Sequence, residues 1–391
     1  MNNFIYHIPT KVIFGKEEHK NVGAIIKSYG FHKVMLHYGG GSIKKTGLYE
    51  DVILSLNESG IEYFELSGVQ PNPTLSLVHT GVKLCKENKP DLILAVGGGS
   101  VIDSAKSIAS GALCDFDPWL FQSGEKIITA AIPVATILTI SAAGSETSCS
   151  CVITNDETGI KRGHSSPFNR PLFSILNPEL TYTVSEYQTA CGIVDIMMHT
   201  LERYITLKNE VSPTDEISEA ILKSVIKAGK EAIEHPNSYE ARAALMWAGS
   251  LSHNDLTGLG KDYFMVSHQI EHEISGKFNH VAHGAGLAVV FPAWAKYAYR
   301  YNIPRFVRYA VNVWGILENK SDPEKTALEG ILKTESFFAS IGMPIRLHEL
   351  NITEDSFEEM AIKCTNFGGR VLKGYIDYGK VEICDILKLA L

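Results

Sequence analysis

Residues 91–109 read DLILAVGGGSVIDSAKSIA, which is a short apolar run, a glycine turn and a segment with helical spacing. The same order occurs earlier, where KVMLHY leads into a first GGGS turn at 39–42. A strand that is apolar throughout is typical of a parallel sheet covered on both faces. Strands that alternate with helices in this way predict an α/β wound domain.

Both GGGS turns stand where a strand ends and a helix begins. Glycine lets backbone N–H groups approach a phosphate, and the partial positive charge of the helix N-terminus attracts it. Ser100 also suits a helix N-cap. Neither turn has the GxGxxG spacing, and one GGGS alone is usually only a turn. Two such turns at strand ends, where open α/β sheets bind ligands, favour a nucleotide site.

A second group of residues with chemical potential lies in SHQIEHEISGKFNHVAHGAG, which contains His268, His272, His280 and His283. Upstream, Asp195 and His199 lie four residues apart in an otherwise apolar stretch, so on a helix they share one face. A carboxylate and an imidazole are costly to bury unless something pairs them, as a divalent metal would. A surface pair with scattered core histidines is the alternative, but it explains one such pair better than two.

The pattern changes near residue 184, after which amphipathic helical spacing dominates and strand signals nearly vanish. We therefore predict an α/β domain over 1–183 and an all-helical domain over 184–391. Because the glycine turns fall in the first and the metal-type residues in the second, we expect the active site in a cleft between them.

Composition excludes several classes of protein. A net charge of −8 over 391 residues argues against binding to nucleic acid. The most apolar stretch, roughly 127–143, contains Pro133 and is too short to span a bilayer, so no membrane association is expected. Seven cysteines without a CxxC ladder, and an N-terminus without signal-peptide character, indicate a cytoplasmic protein.

Six motifs occur in order along the chain, namely PTKVIFG, PNPT (71–74), GGGSVIDSAK (97–106), TISAAGSE (139–146), GIVDIMMHTLE (192–202) and the H-xxx-H…HG segment (268–284). In this order they resemble the motifs of the iron-containing (group III) alcohol dehydrogenase family over essentially the whole chain, and look most similar to its NAD(P)H-dependent butanol dehydrogenase branch. The resemblance implies the dehydroquinate synthase-like fold, with a Rossmann-like N-terminal domain and an all-α C-terminal domain.

The resemblance also implies four metal ligands, Asp195, His199, His268 and His283, with His272 as a catalytic group near nicotinamide and substrate. The last two ligands are 15 residues apart here, whereas the family usually has 14, so His280 is a rival for the fourth position. We prefer His283 because the family's ligand directly precedes glycine, as His283 precedes Gly284. Iron is the family expectation, and zinc would fit the same ligands.

Cofactor positions follow from the same resemblance. Lys161 by itself would be expected to be a surface lysine, and the serines between 139 and 148 could equally belong to a serine-rich hairpin. The contacts implied by the resemblance are Asn72, Gly98, Gly99, Ser100, Asp103, Thr139, Ser148, Lys161 and Leu180. The first glycine turn adds Gly39, Gly41 and Ser42 as candidate contacts.

Charge favours NADP(H) over NAD(H). An NAD-selective site usually places a carboxylate at the ribose 2′-hydroxyl. After the first glycine turn this chain has Lys44 and Lys45 and no acid before Glu50.

The expected reaction is therefore hydride transfer between NADP(H) and a mostly apolar aldehyde or primary alcohol, catalysed by a homodimer. On the same fold, a polyol dehydrogenase of the glycerol type or a dehydroquinate synthase-like lyase remains possible. A metal-dependent hydrolase without nicotinamide is a further alternative. It would use Glu271 or Glu273 as a general base and would leave both glycine turns unexplained.

Overall fold

The computed structural model describes residues 1–391, and these form two compact units. One comprises His7–Val184. The other comprises Ser185–Leu391 together with Met1–Tyr6. No helix in either unit has both the length and the apolar character needed to cross a membrane.

A six-stranded parallel sheet forms the centre of the first unit, in the order β1-β8-β5-β4-β2-β3. The two remaining strands, β6 and β7, pair antiparallel with each other. β4 has the sequence LILAVG and all of its residues are buried, as a strand covered on both faces requires. The strands are β1 (Lys11–Phe14), β2 (Lys33–Gly39), β3 (Glu62–Val69), β4 (Leu92–Gly97), β5 (Val134–Leu138), β6 (Ser150–Asn155), β7 (Ile160–Ser165) and β8 (Phe173–Leu176).

Helices follow most of the parallel strands in this unit. Gly81 shows how closely they pack, because a Cβ there would lie 2.4 Å from Cδ1 of Ile108 on a neighbouring helix. The helices are α1 (Val22–Ser28), α2 (Ser42–Lys45), α3 (Leu48–Glu58), α4 (Leu75–Asn88), α5 (Gly99–Gly111) and α6 (Trp119–Gln122), with 3-10 turns at Glu18–Asn21, Pro167–Asn169 and Pro178–Thr181.

The second unit has no strand and one large apolar core. Gly284 lets α11 pack directly on the α7 backbone, since a Cβ there would lie 2.1 Å from the Cys191 carbonyl oxygen. Its helices are α7 (Glu186–Tyr204), α8 (Pro213–Glu234), α9 (Tyr239–His253), α10 (Val266–Lys277), α11 (His283–Ala298), α12 (Ile303–Trp314), α13 (Pro323–Ser340), α14 (Phe357–Cys364) and α15 (Lys380–Leu389), with 3-10 turns at Leu256–Gly258, Tyr299–Asn302, Leu347–Leu350 and Glu354–Ser356.

The predicted fold class, a parallel α/β sheet followed by an all-helical region, is confirmed. The serine-rich hairpin is wrong, because β5 joins the main sheet between β4 and β8 while β6 pairs with β7. Ser100 is not an N-cap either, because α5 begins at Gly99 and its N-cap is Gly98.

Candidate metal centre and nucleotide-binding turns

Asp195 and His199 lie on α7, whose residues are buried from Thr189 to the end of the helix. Their four-residue spacing brings them to one face, where His199 Nδ1 lies 3.0 Å from both the backbone oxygen and Oδ1 of Asp195. The backbone oxygen accepts the hydrogen bond, and Asp195 Oδ1 has no hydrogen-bond partner although it is fully buried. A buried carboxylate oxygen without a partner is costly, so this atom indicates a missing ligand.

His268 comes from α10 and faces the same carboxylate. Its Nε2 lies 3.7 Å from Asp195 Oδ1 and has no hydrogen-bond partner. Its Nδ1 is bonded to Oε2 of Glu202, a residue of α7 that sequence reasoning missed as a participant. Glu202 lies seven residues after Asp195 and therefore on the same face of the helix, which is the signal that could have found it.

His283 is the first residue of α11 and lies 3.8 Å, measured from its Nε2, from the same Asp195 Oδ1. Its Nδ1 is bonded to Oε2 of the wholly buried Glu271. His280, the rival for this position, instead places its Nε2 3.3 Å from the backbone oxygen of Leu350. The structure thus places His283 beside Asp195 and engages His280 elsewhere.

His272 stands next to this group. Its ring centroid is 5.6 Å from that of His283, and it is half-buried. Ligand-type atoms of Glu271, His272 and His283 lie within 4.8 Å of one another, as do those of Asp195, His199 and His268. His253, not singled out in the sequence, stacks on His199 with ring centroids 4.1 Å apart.

Burial and neighbouring charge prepare these groups as ligands. Burial lowers the pKa of His199 to about 4, which keeps this imidazole neutral. Burial opposes the charge on Asp195, but His199 and His268 hold its pKa well below the usual value, so it is a carboxylate. Burial also opposes a charge on His268, yet Glu202 and Asp195 raise its pKa to about 9.

These residues fit a divalent metal. In His199, His268 and His283 an oxygen atom is bonded to Nδ1, which leaves the Nε2 lone pair for a ligand. At metal–ligand distances of about 2.1 Å, two ligands of a tetrahedral ion lie roughly 3.4 Å apart. The separations of 3.7 and 3.8 Å from Asp195 Oδ1 are close to that value.

The two glycine turns lie at one edge of the sheet in the first unit. β2 and β4 are adjacent and parallel, so the turns at their carboxyl ends are neighbours. Gly41 has a φ of 114°, which favours glycine, and precedes α2, which starts at Ser42. At the second turn a Cβ on Gly98 would lie 2.4 Å from Cγ2 of Ile140. Gly39, Gly99 and Ser100 are partly exposed and Ser42 is exposed, so a ligand has access to these turns.

Asp103 and Ser148, which are among the implied cofactor contacts, make hydrogen bonds within the protein. Asp103 Oδ1 accepts a hydrogen bond from Ser145 at 2.5 Å, and its Oδ2 accepts one from the Val152 amide at 3.0 Å. The Ser148 hydroxyl is bonded to the ammonium group of Lys106 and to Ser150. Thr139 is half-buried, and its amide donates to the Gly97 carbonyl at the end of β4.

Lys106, another residue that sequence reasoning missed, is fully buried in α5. Its ammonium group donates to oxygens of Ser145, Ser148 and Ser150 at 2.7–3.3 Å. It therefore ties the helix after the second glycine turn to the serine-rich segment. A lysine within a largely apolar helical stretch is the signal in the sequence.

Asn72 and Lys161 are brought together, with Lys161 Nζ donating to Asn72 Oδ1 at 2.9 Å. The expectation of a surface lysine is wrong, because Lys161 is only 5% exposed on β7. Asn72 has a φ of 60° and precedes the point where Thr74 bridges Thr154 of β6. Leu180 is half-buried against the core of the sheet.

The chain matches two parts of one family, the iron-containing alcohol dehydrogenase family over residues 9–178 and that family's C-terminal region over 189–391. It belongs to the iron-containing alcohol dehydrogenase family. Like other members of that family, it is therefore an oxidoreductase.

Relatives in this family extend over the full chain. NADH-dependent butanol dehydrogenase A of Clostridium acetobutylicum is 43% identical over 99% of each chain. NADPH-dependent aldehyde reductase YqhD of Escherichia coli is 36% identical over 94% of each. Among solved structures, NADH-dependent butanol dehydrogenase A of Thermotoga maritima has a TM-score of 0.96 and 39% identity, covering 100% of this chain and 99% of that one.

Proposed function

We propose that this protein transfers hydride between a nicotinamide dinucleotide and a primary alcohol or aldehyde. The substrate is an aldehyde with an unbranched apolar chain, and the product is the corresponding primary alcohol. The observation that carries the proposal is the convergence of His268 and His283 on the unpartnered Oδ1 of Asp195. The names of the relatives, butanol dehydrogenases and an aldehyde reductase, support the substrate class.

Asp195, His199, His268 and His283 would hold a divalent metal, with Fe²⁺ as the family expectation and Zn²⁺ compatible with the same residues. When bound, the metal supplies Lewis acidity toward a carbonyl oxygen and the reduced nicotinamide supplies the hydride, which no side chain can do. The protein's own residues fix the three imidazoles and the carboxylate before any ligand arrives, so little reorganisation is needed.

His272 would exchange the proton that the product oxygen gains or loses. It lies beside His283 and is half-buried, so it is near both the candidate ligands and solvent. An imidazole titrates near neutral pH, which suits this role. Replacing His272 by Asn should lower turnover while the bound metal content stays at the wild-type level.

The nucleotide would bind at the two glycine turns, with its phosphates at the start of α5. We keep NADP(H) as the preferred cofactor, because Lys44 and Lys45 follow the first turn. Glu65 is the nearby acid, but both of its oxygens accept hydrogen bonds, from Tyr38 and Tyr49, at 2.6 Å. Since relatives are named for NADH as well as for NADPH, the assay must compare both nucleotides.

A hydrolytic role is less well supported. The candidate general bases, Glu271 and Glu273, are both buried, and Oε2 of Glu271 is bonded to His283 Nδ1. A base that activates water needs access to that water. The relatives described above are named as dehydrogenases or a reductase. A further relative, 1,3-propanediol dehydrogenase of Citrobacter freundii, is 27% identical, which makes a diol worth including as a substrate.

We also infer that the protein is a cytoplasmic homodimer. None of the seven cysteines forms a disulfide, which is compatible with a reducing compartment. Met1, Phe4, Ile5 and Tyr6 are 42–94% exposed, an unusual concentration of apolar surface that a second copy could cover. Light scattering of the wild-type protein and of an Ile5→Ser variant would test this pairing.

The deciding experiment uses the metal-reconstituted protein and measures oxidation of NADPH and NADH with butanal and longer aldehydes. In the reverse direction it measures reduction of NADP⁺ and NAD⁺ with 1,3-propanediol. We expect turnover with butanal, a higher kcat/KM with NADPH, and joint loss of metal and turnover in His268→Ala. Bound metal without nicotinamide oxidation by any substrate would contradict the proposed function, and a strong NADH preference would overturn the cofactor assignment alone.

A further inference from the structure

Two buried carboxylates are bonded to the candidate ligand histidines through Nδ1, the ring nitrogen that does not face Asp195. Glu202 on α7 and Glu271 on α10 are 1% and 0% exposed. Each is bonded to Nδ1 of a different histidine, His268 and His283 respectively. Burying a carboxylate is expensive unless hydrogen bonds satisfy it, so each needs a reason to be there.

Glu202 is held on both oxygens. Its Oε1 accepts from the Ser267 amide at 2.6 Å, and its Oε2 accepts from the His268 amide at 3.3 Å as well as from the His268 ring. These amides belong to the first turn of α10, where backbone N–H groups lack partners within the helix. The carboxylate therefore positions the helix and the ring together.

Glu271 has a space prepared for it. A Cβ on Gly286 would lie 2.7 Å from Cγ and 2.9 Å from Oε1 of Glu271, so only glycine at that position leaves room for the side chain. Gly286 lies on α11 three residues after His283, and Glu271 lies on α10 three residues after His268. The carboxylate thus connects the two helices that each contribute one ligand histidine.

We propose that Glu202 and Glu271 are positioning residues that hold His268 and His283 in one tautomer, with hydrogen on Nδ1 and the Nε2 lone pair directed at Asp195, and that they thereby set the affinity for a divalent metal. This inference rests on the proposed function, because it requires a metal between those residues. An imidazole without a fixed Nδ1 partner interconverts between tautomers and rotates, and each loss of order weakens coordination. A carboxylate partner also increases the basicity of the ligand nitrogen.

The two carboxylates should not be equivalent. A glutamine at 271 can keep one oxygen on His283 Nδ1 and loses the negative charge. At 202 an amide must place its NH₂ group against one of the N–H donors of Ser267 and His268, because both carboxylate oxygens accept there. Glu202→Gln should therefore weaken metal binding more than Glu271→Gln.

The test is the dissociation constant for Zn²⁺ or Co²⁺, measured by competition with a chromophoric chelator on the full chain, for the wild type, E202Q and E271Q. Removing such partners typically costs 10–100-fold in metal affinity, so we expect about that range, with E202Q at its upper end. The visible spectrum of the Co²⁺ form should also change in both variants, because it reports the geometry of coordination.

Glu219→Gln is the matched control. Glu219 is a buried carboxylate in the same unit that accepts from Tyr204 and Asn312 and contacts none of the candidate ligands. E219Q should melt at a lower temperature in chelator and keep the wild-type metal affinity and Co²⁺ spectrum. Melting in chelator separates lost stability from lost metal affinity for every variant, and E271Q provides the test if E202Q does not fold.

The outcomes are distinct. A wild-type protein that binds one metal with an affinity that E202Q and E271Q both retain overturns this inference and leaves the proposed function standing. A wild-type protein that binds no divalent metal overturns the proposed function and the inference with it.

Discussion

The candidate metal centre is built from side chains, whereas the candidate nucleotide-binding turns are built mainly from backbone. The centre consists of side chains, Asp195 with His199, His268 and His283, whose positions are fixed by hydrogen bonds to buried oxygens. The turns consist mainly of backbone at the ends of β2 and β4. The nearby polar side chains of Asp103 and Lys106 make hydrogen bonds to Ser145 within the protein. A side-chain site depends on the identity of a few residues, whereas a backbone site depends on space and on the helix behind it.

The largest expected effect of a single substitution lies at the candidate metal centre. Replacing His268 by Ala removes one candidate ligand, the imidazole whose Nε2 lies 3.7 Å from Asp195 Oδ1. We expect loss of bound metal and a fall in kcat/KM on the order of a thousandfold, since such a metal contributes several kcal/mol to the transition state. Nucleotide affinity, measured by NADPH fluorescence, should change little. Equal losses of metal and nucleotide affinity would mean that the two regions are not independent.

The largest effect in the other unit should come from Lys106. Lys106→Met removes the ammonium donor to oxygens of Ser145, Ser148 and Ser150, so we expect the free energy of unfolding of this unit to fall by about 3–5 kcal/mol. Urea unfolding monitored by circular dichroism measures the change. Lys83→Met is the control, because its pair with Glu87 is exposed and should contribute less than about 1 kcal/mol. Similar losses for both lysines would contradict this account.

Acid should also act on the α/β unit, through His37. This residue of β2 is fully buried between Leu66 and Ser104, and burial lowers its pKa to about 4. Since an unfolded histidine has a pKa near 6.5, the neutral form stabilises the fold above that pH, and this contribution is lost as the pH falls toward 4. The expected loss is about 3 kcal/mol.

The measurement is the free energy of unfolding at several pH values between 4 and 7. His37→Gln should be less stable at neutral pH and should lose this part of the pH dependence. An unchanged slope in the variant would assign the acid sensitivity to other groups.

The smallest expected effect on binding comes from a substitution in the second glycine turn. A Cβ on Gly99 would meet only Ala143 Cβ at 3.5 Å, which is ordinary contact, so Gly99→Ala should leave the melting temperature nearly unchanged. If phosphate approaches the backbone here, the added methyl group meets the ligand instead, and we expect about tenfold weaker NADPH binding. Metal affinity is the internal control. Wild-type affinity for NADPH in this variant would mean that the phosphates do not approach Gly99.

The sequence predicted the elements that leave a periodic pattern. β2, β4 and the long helices were found because buried strands are apolar throughout and amphipathic helices repeat at 3.6 residues. β7 and β8 were missed, since IKRGHS is mostly polar and FSIL is only four residues long. α15 was missed as well, although it begins after Gly379 and buries Ile383 and Ile386.

Residue types in the sequence pointed to the candidate ligand side chains, but not to the carboxylates that are hydrogen-bonded to them. Four-residue spacing relates Asp195 to His199, whereas the pairing of Glu202 with His268 spans 66 residues and depends on how α7 meets α10. The same limit explains Lys161, which was expected at the surface and is buried by a contact 89 residues away at Asn72. Long-range pairing of polar groups is a property of the packed fold and leaves no local periodicity.

The contacts of Glu202 with both the His268 ring and the backbone of α10 have a consequence for the dynamics of that helix. Because one carboxylate bonds a ligand ring and the opening amides of α10, strain at the ring is passed to the start of that helix. Metal binding should therefore slow the hydrogen–deuterium exchange of the Ser267 and His268 backbone amides. Once the ion is removed by a chelator, this turn should fray and these amides should exchange faster. Peptide-level mass spectrometry would then follow loading without any substrate being present.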